Sequence, residues 1–170
     1  MLCKKCQSPS DNDMYLCKDC SERYPFLYVK RDSDLCLMQD KGFKIGSFGL
    51  DLVFSKILIS EDGKRMFFTL FSSMEKRTLM YYNFQSDENP LGMVADNVVE
   101  FRVSEKGDIV YYIDISNTLY FFDFNKTERI SDIAFSMHIS KDGKYLVYES
   151  ADSYFLYNHE EKMSGFIDSN

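Results

Sequence analysis

A repeated turn motif is the sequence feature that most restricts the fold. Three segments, at residues 57–68, 101–112 and 137–148, share the pattern apolar-x-apolar-Ser-x-x-Gly-x-x-apolar-x-aromatic. The Ser ends one strand, the Gly takes a positive φ in a tight turn, and aromatic and β-branched residues begin the next strand. A chain built from such strand–turn–strand units is predicted to be all-β.

The motif recurs with a spacing that is typical of propeller blades. The turn glycines Gly63, Gly107 and Gly143 are 44 and then 36 residues apart, within the range of one four-stranded blade. A third strand is predicted in each repeat, at 77–84, 118–124 and 153–158. A weaker fourth strand is predicted near 91–97, 127–133 and 162–168. A further unit that lacks its first strand is predicted from 26–30, 35–38 and 43–48.

The Ser-x-Asp-Gly-Lys turn followed by an aromatic strand resembles the repeat of the bacterial TolB-type and dipeptidyl-peptidase-type β-propellers. The resemblance covers residues 26 to about 168, and the middle copy departs from it with Lys106 in the place of Asp. It implies four-stranded blades. It does not imply peptidase activity, which in those enzymes lies in a separate hydrolase domain. An antiparallel meander folded into a sandwich stays open as an alternative, because both folds use short strands and turns.

The number of repeats bears on how the array ends. Propellers close with four to eight blades, and this chain supplies three full units and a partial one. We therefore predict a propeller-like array of three to four four-stranded antiparallel blades, which either closes as a tight ring or leaves its terminal faces open. Open faces expose strand edges and apolar surface, so they predict self-association or pairing with a propeller-like partner. The chain would in that case be a candidate piece of a longer protein.

Four of the five cysteines stand in the first twenty residues as two C-x-x-C pairs. The pairs are separated by ten residues, which is enough for a short hairpin, and two such knuckles present four thiolates in a tetrahedron. This geometry predicts a structural Zn²⁺ site, in which no ligand position is left for water or substrate. The predicted ligands are Cys3, Cys6, Cys17 and Cys20.

Residues 1–21 resemble the short N-terminal zinc ribbon of many bacterial proteins. Its pattern is C-x-x-C-G, ten residues counted from that Gly, and then C-x-x-C-G, with an aromatic residue just before the third Cys. The cysteine spacing matches fully, while Gln7 and Ser21 replace the two knuckle glycines and Leu16 replaces the aromatic residue. We predict a zinc ribbon over 1–24 and a propeller-like domain over 25–170. Two disulfides, free thiols, or a thioredoxin-like redox pair are the alternatives.

Composition bears on partners and location. The chain has 20 Lys and Arg against 27 Asp and Glu, a net charge of −7. Neutralisation of phosphate charges by basic residues supplies most of the affinity for nucleic acid, so an acidic chain is a poor partner for nucleic acid. It is equally a poor partner for an anionic membrane surface. Its N-terminus does not have the pattern of a signal peptide, and its apolar stretches are too short for a membrane span. We therefore expect a cytoplasmic protein.

Other residues with chemical potential are few. Cys36, in an alternating strand-like run, is predicted to be a buried thiol. Gly46-Ser47-Phe48-Gly49 differs from a nucleophile elbow, and Asp11-Asn12-Asp13 lacks the Gly and Glu of a calcium loop. His138, at the repeat position of Leu58 and Arg102, is predicted to pack between blades or line a channel, and His159 to be an exposed turn residue.

These features predict a non-enzymatic binding or scaffold protein, in which a structural zinc ribbon is joined to a propeller-like interaction domain. Two alternatives remain open. One is a nucleic-acid-associated protein that binds through its zinc ribbon, and the other is a fragment of a larger propeller-containing enzyme.

Overall fold

The computed structural model describes residues 26–29, 34–38 and 43–47 as backbone strands, and residues 53–71 and 77–169, with side chains from 56 and up to 167. All regular elements within these ranges are β-strands, which confirms the all-β prediction. No helix in the described part of the chain is long and apolar enough to cross a membrane. The strands fall into two units, Met1–Leu52 and Val53–Asn170, which are described separately.

Fifteen strands are described. In chain order they are β1 (Phe26–Val29), β2 (Asp34–Met38), β3 (Phe43–Ser47), β4 (Val53–Ile59), β5 (Arg65–Phe71), β6 (Arg77–Asn83), β7 (Leu91–Asp96), β8 (Val98–Val103), β9 (Val110–Asp114), β10 (Leu119–Phe122), β11 (Thr127–Ser131), β12 (Ser136–Ile139), β13 (Tyr145–Ser150), β14 (Ser153–Asn158) and β15 (Met163–Ser169).

Each sheet is built from strands that follow one another in sequence. In the first unit β1, β2 and β3 form a three-stranded antiparallel sheet, as predicted for a blade without its first strand. The second unit contains three four-stranded antiparallel sheets: sheet 1 (β4–β7), sheet 2 (β8–β11) and sheet 3 (β12–β15). Consecutive pairing of neighbouring strands is the arrangement of a propeller blade.

Aromatic and aliphatic side chains fill the space between sheets 1 and 2. Phe67 and Leu79 of sheet 1 are fully buried and belong to one cluster with Phe101 and Val110 of sheet 2. Tyr81 of sheet 1 is partly buried and packs against the same cluster. Each face contributes alternate residues of its strands, because side chains point to opposite faces in turn.

The core between sheets 2 and 3 uses the other face of sheet 2. Tyr111, Leu119 and Phe121 of sheet 2 are fully buried in one cluster with Met137 and Leu146 of sheet 3. The hydroxyl of Tyr111 donates to the carbonyl of Gly143 at 2.8 Å, and burial raises the pKa of the phenol. Sheet 2 is therefore packed on both faces, as an inner blade is.

The three repeat glycines adopt the conformation that the turn requires. Gly63, Gly107 and Gly143 have φ of 69°, 67° and 76°, which confirms the prediction for Gly63 and Gly143. Each glycine N–H donates to the carbonyl of the motif Ser three residues earlier, at 2.9–3.0 Å. The turn is thus closed by its own backbone, and the glycine supplies the positive φ at least cost.

The motif serine ties each turn together through its side chain. Ser60 and Ser140 donate to the carboxylates of Asp62 and Asp142 at 2.7 and 2.6 Å. In the middle copy Lys106 stands at that place, and Ser104 donates instead to Asp108 at 2.6 Å. The acceptor has moved two residues along the turn, so the departure at Lys106 leaves the hydrogen bond intact. At the third turn the hydrogen bond from Ser140 holds the pKa of Asp142 below its ordinary value.

The turn glycines differ in their surroundings, and this difference predicts a difference in stability. A Cβ on Gly107 would lie 2.9 Å from the Cβ of Ser60, whereas no heavy atom lies within 4 Å of a Cβ on Gly63. Gly63→Ala incurs only the penalty of a positive φ, about 1 kcal/mol. Gly107→Ala adds steric overlap and is expected to cost about 2–4 kcal/mol in total.

Urea denaturation of both variants measures the free energies of unfolding directly. The Gly63→Ala variant is the control, because its turn type and φ match those of Gly107. Equal losses of stability in the two variants would contradict the close packing of the Gly107 turn against Ser60 of sheet 1.

Candidate interaction surface

The predicted zinc ligands Cys3, Cys6, Cys17 and Cys20 lie outside the described residues. Among the described side chains no group of three or more His, Cys, Asp or Glu is arranged to hold a metal ion. Cys36 lies in β2, as its alternating pattern predicted, and its side chain is outside the described part. Gly46 and Ser47 are the last two residues of β3.

His159 lies in the turn after β14, as predicted, but the prediction that it is exposed is wrong. Its ring is partly buried and stacks on Phe121 of sheet 2, with centroids 4.0 Å apart. The reason is the repeat: His159 follows the third strand of sheet 3 at the place where Phe124 follows that of sheet 2, and Phe124 packs edge-on against Tyr81 of sheet 1 at 4.9 Å. Desolvation lowers the pKa of His159, which favours the neutral ring in this contact.

Sheet 3 has one face that no described residue covers in the way its repeat equivalents are covered. We call this the open face and define it by residues on β12, β13 and β14: His138, Tyr145, Val147, Glu149, Tyr154 and Leu156. The opposite face of the same strands carries Met137, Leu146 and Tyr148, which are buried against sheet 2. The alternation of the strands therefore separates an occupied face from an open one.

Cross-strand register shows which residues are equivalent. Phe67, Tyr111 and Val147 occupy the same position in the second strands of sheets 1, 2 and 3. They pair with Leu58, Arg102 and His138, which are equivalent residues of the first strands. Phe67 and Tyr111 are fully buried between sheets, whereas Val147 is only partly buried. At this position the open face thus carries a side chain that is only partly buried, whereas the equivalent side chains of sheets 1 and 2 are completely buried.

The third strand repeats this comparison. Phe121 pairs with Tyr111 and is fully buried, while its equivalent Leu156 pairs with Val147 and is 38% exposed. Tyr145, at the edge of the same face, is 47% exposed. At the positions of Val147 and Leu156 all three repeats carry apolar or aromatic residues, so the pattern could not show which copy lacks a neighbour.

The polar members of the open face, His138 and Glu149, lie on β12 and β13. His138 is exposed on β12, at the position of Leu58 and Arg102 as the repeat predicted. The Ser136 hydroxyl donates to Glu149 at 3.0 Å, so that this carboxylate is already paired within the sheet. A partner that covers the open face therefore meets an apolar centre with few unsatisfied charges.

A depression of about 410 Å³ lies elsewhere on sheets 2 and 3. Its lining includes Glu128, Tyr157 and Lys162. Glu128 accepts from Lys126 at 2.8 Å and from Lys162 at 2.9 Å, and these two hydrogen bonds lower its pKa to about 2. The carboxylate is held ionised and paired, so it links β11 to the start of β15 and is poorly suited to act as an acid or base.

Comparison with known proteins supports the architecture. No protein-family model matches the sequence, and no curated protein is significantly similar to it. Among solved structures, the tricorn protease matches at 13% identity with a TM-score of 0.60, over 85% of this chain and 16% of that protein. At such identity the similarity shows the fold alone.

Two further structures agree. The β-propeller domain of the Trilobed protease from Pyrococcus furiosus, described as having an open velcro topology, matches at 13% identity and a TM-score of 0.55, over 71% of this chain and 43% of that one. TolB from Acinetobacter baumannii matches at 14% identity and 0.51, over 86% and 40%. The protein therefore has a propeller-like fold, and the chain spans less than half the length of each of these three structures.

Proposed function

We propose that this protein is a non-enzymatic binding or scaffold protein that binds another protein through the open face of sheet 3. One observation carries the proposal: Val147 and Leu156 are accessible at positions whose equivalents, Tyr111 and Phe121, are fully buried between sheets. Accessible apolar surface of this kind, with polar residues at its border, is characteristic of protein interfaces.

We also propose that the N-terminal segment holds a structural metal site and that the protein catalyses no reaction. Cys3, Cys6, Cys17 and Cys20 are proposed to hold one structural Zn²⁺, on the strength of their paired spacing. A structural site folds a short segment that has too few residues for an apolar core. The non-enzymatic role is supported by the charge pairing of Glu128 with Lys126 and Lys162.

Photo-crosslinking in cells that naturally express the protein tests the binding role. p-Benzoylphenylalanine in place of Tyr154 puts the reactive group on the open face, next to Val147 and Leu156. We expect one discrete adduct with another polypeptide after irradiation, because a specific interface places a single partner surface within reach.

The matched control carries the same group in place of Ile115, which is 66% exposed in the turn between β9 and β10 of sheet 2. The control should give no adduct of that size. Val147→Lys combined with the group at Tyr154 should remove it. Adducts of equal yield at both positions, or none at position 154, would contradict a binding role for this face.

A second candidate is a part of a larger propeller-containing enzyme. It is favoured by the share of the matched structures that the chain spans, 16% of the tricorn protease and 43% of the Trilobed protease propeller domain. An antibody against residues 132–170 distinguishes the two on an immunoblot of the native host. A band near 20.0 kDa supports the scaffold protein, and a much larger band supports the enzyme.

A further inference from the structure

We propose that the turn between β14 and β15 is a pH-sensitive latch, which the neutral ring of His159 fastens to sheet 2 and which protonation of that ring releases. This turn, called the latch turn below, comprises residues 159–162. The latch does not depend on the proposed binding role, because the latch turn contacts sheet 2 and takes no part in the open face.

Two side chains of the latch turn reach sheet 2 in the described part of the chain. The ring of His159 stacks on Phe121, with centroids 4.0 Å apart and an angle of 23° between the ring planes. Lys162 donates from Nζ to the carboxylate of Glu128 at 2.9 Å. The attachment therefore consists of one ring contact and one exposed ion pair, and the ring contact is the part that excludes water.

The residues next to these contacts allow the latch turn to move as a unit. The side chain of Asn158 accepts a hydrogen bond from the N–H of Glu160 at 3.0 Å, which holds the shape of the turn from within its own sheet. In β15, which follows, Met163, Phe166 and Ile167 are all exposed. A segment with so few buried apolar contacts opens at a low free-energy cost, while the core between sheets 2 and 3 stays packed.

The hydrogen-bonding environment of His159 fits the neutral ring. Its Nδ1 atom is buried, and no described group forms a hydrogen bond with it. A neutral imidazole can carry its single proton on Nε2 and leave Nδ1 bare, whereas an imidazolium carries an N–H on both nitrogens. Protonation would therefore bury an N–H donor without an acceptor, which disfavours the fastened state.

The charges beside the ring oppose protonation as well. The ammonium group of Lys126 lies 5.9 Å from the centroid of Phe121, the same ring on which His159 stacks. A single imidazolium on a phenyl ring gains cation–π attraction, but here it would be the second cation on that ring. The repulsion between the two cations reduces this gain.

Two acidic side chains, on β11 and in the turn before it, favour protonation, but both already have partners. Glu128 accepts from Lys126 at 2.8 Å and from Lys162 at 2.9 Å. Asp123 accepts from the N–H groups of Asn125 and Lys126, both at 3.0 Å. Their negative charge is thus largely compensated before the His159 ring takes up a proton.

On the side of sheet 3 the neighbouring groups add little charge to the ring. Glu160 of the latch turn is paired with Lys144, whose carbonyl accepts the N–H of His159 at 2.9 Å. The ring of Tyr157 lies 6.5 Å from that of His159, and burial raises the pKa of its phenol, so it stays neutral. The cations that act on His159 are therefore mainly those at the sheet 2 contact.

Protonation and release are linked with a defined sign. Burial first, and then Lys126, lower the pKa of the fastened His159 ring below its ordinary value of 6.5, whereas a released ring in water returns toward that value. The fastened state binds the proton more weakly, so the contact is fully present above about pH 6.5 and is lost as the pH falls below it. Each unit of difference between the two pKa values changes the ratio of released to fastened turn by about tenfold.

The repeat contains the same contact in a form that does not titrate. Phe124 follows the third strand of sheet 2, at the place of His159 in sheet 3, and packs edge-on against Tyr81 of sheet 1 at 4.9 Å. A phenyl ring is thus sufficient for packing at this place, and an imidazole adds the ability to take up a proton. The Phe124 contact is therefore an internal reference within the same molecule.

Proton NMR of the full chain between pH 7.5 and 5.0 tests the latch. The chain contains two histidines, so a His138→Gln variant assigns the ring signals of His159. We expect the nuclear Overhauser contacts between the rings of His159 and Phe121 to weaken by at least about threefold as the imidazole is protonated, because they report the fraction of fastened turn. The contacts between Phe124 and Tyr81 should keep their intensity.

His159→Phe is the matched variant, because it places the residue of the reference contact in the latch turn. Its contact with Phe121 should persist over the whole pH range. His138→Gln should behave like the unmodified chain, since His138 lies on β12 and outside the latch turn.

Four results would overturn the latch. The first two are a His159–Phe121 contact that persists after the ring is protonated, and a ring that is still neutral at pH 5.0. The other two are loss of the Phe124–Tyr81 contact over the same pH range, and loss of the ring contact in His159→Phe. Either of these would show that acid acts on the fold as a whole and not through His159.

Discussion

Leu119→Ala is expected to lower the free energy of unfolding by about 2–5 kcal/mol, the range for a buried Leu truncated in a core. Leu119 is fully buried between sheets 2 and 3, in contact with the cluster that includes Tyr111 and Met137. Leu156→Ala removes the same atoms from the open face, where the side chain is 38% exposed, and should cost no more than about 1 kcal/mol. The two variants compare one chemical change on a covered and an uncovered sheet.

Chemical denaturation at low protein concentration measures both losses without interference from association. A loss at Leu156 as large as that at Leu119 would mean that the open face is covered in the isolated chain. It would contradict the central premise of the proposed function. Leu79→Ala provides a second reference for a covered position, because Leu79 is fully buried between sheets 1 and 2.

Cys17→Ser is expected to abolish zinc binding and unfold residues 1–24, while the four-stranded sheets stay folded. The wild-type protein, purified without chelator, should contain one equivalent of zinc. Structural zinc sites contribute on the order of 10 kcal/mol to the folding of short segments, so that loss of one of four ligands should leave no stable ribbon. The sheets have their own aromatic core, built around Phe67, Tyr111 and Phe121.

Elemental analysis and circular dichroism make this measurement. Cys36→Ser is the matched control and should retain the metal, because Cys36 lies in β2 and outside the paired motif. Less than about a tenth of an equivalent of zinc, with disulfides found by mass spectrometry, would reject a site of this expected affinity. Collapse of the β signal in Cys17→Ser would show that the ribbon belongs to the main fold.

The strands and turns followed from local sequence. The apolar-x-apolar-Ser pattern marks the end of β4, β8 and β12, and the glycine marks the turn because few other residues tolerate its φ. These signals lie within a dozen residues of one another. The third and fourth strands of each repeat were predicted within a few residues for the same reason, since alternation and turn residues define them locally.

Predictions failed or stayed incomplete where a residue depends on a neighbour far away in sequence. The sequence predicts an exposed turn at His159, and the residue does lie in a turn, but its ring stacks on Phe121, which lies in a different sheet. Lys106 departs from the repeat at the place of Asp, and only the structure shows that Asp108 accepts the hydrogen bond from Ser104 instead. In both cases the deciding contact is made by a side chain whose distance and direction no local pattern specifies.

The sequence by itself determined that the chain forms β-strands, where its turns lie, and that its strand units repeat with a spacing typical of blades. These properties depend on backbone conformation and on the two-residue alternation of strands, both of which are local. Only the tertiary structure decided which faces are covered. Tyr111 and Val147 occupy the same place in the repeat and have the same local pattern, yet one is fully buried and the other is not. Burial of a sheet face requires a second sheet, and whether that sheet is present is a property of the assembly and not of the repeat.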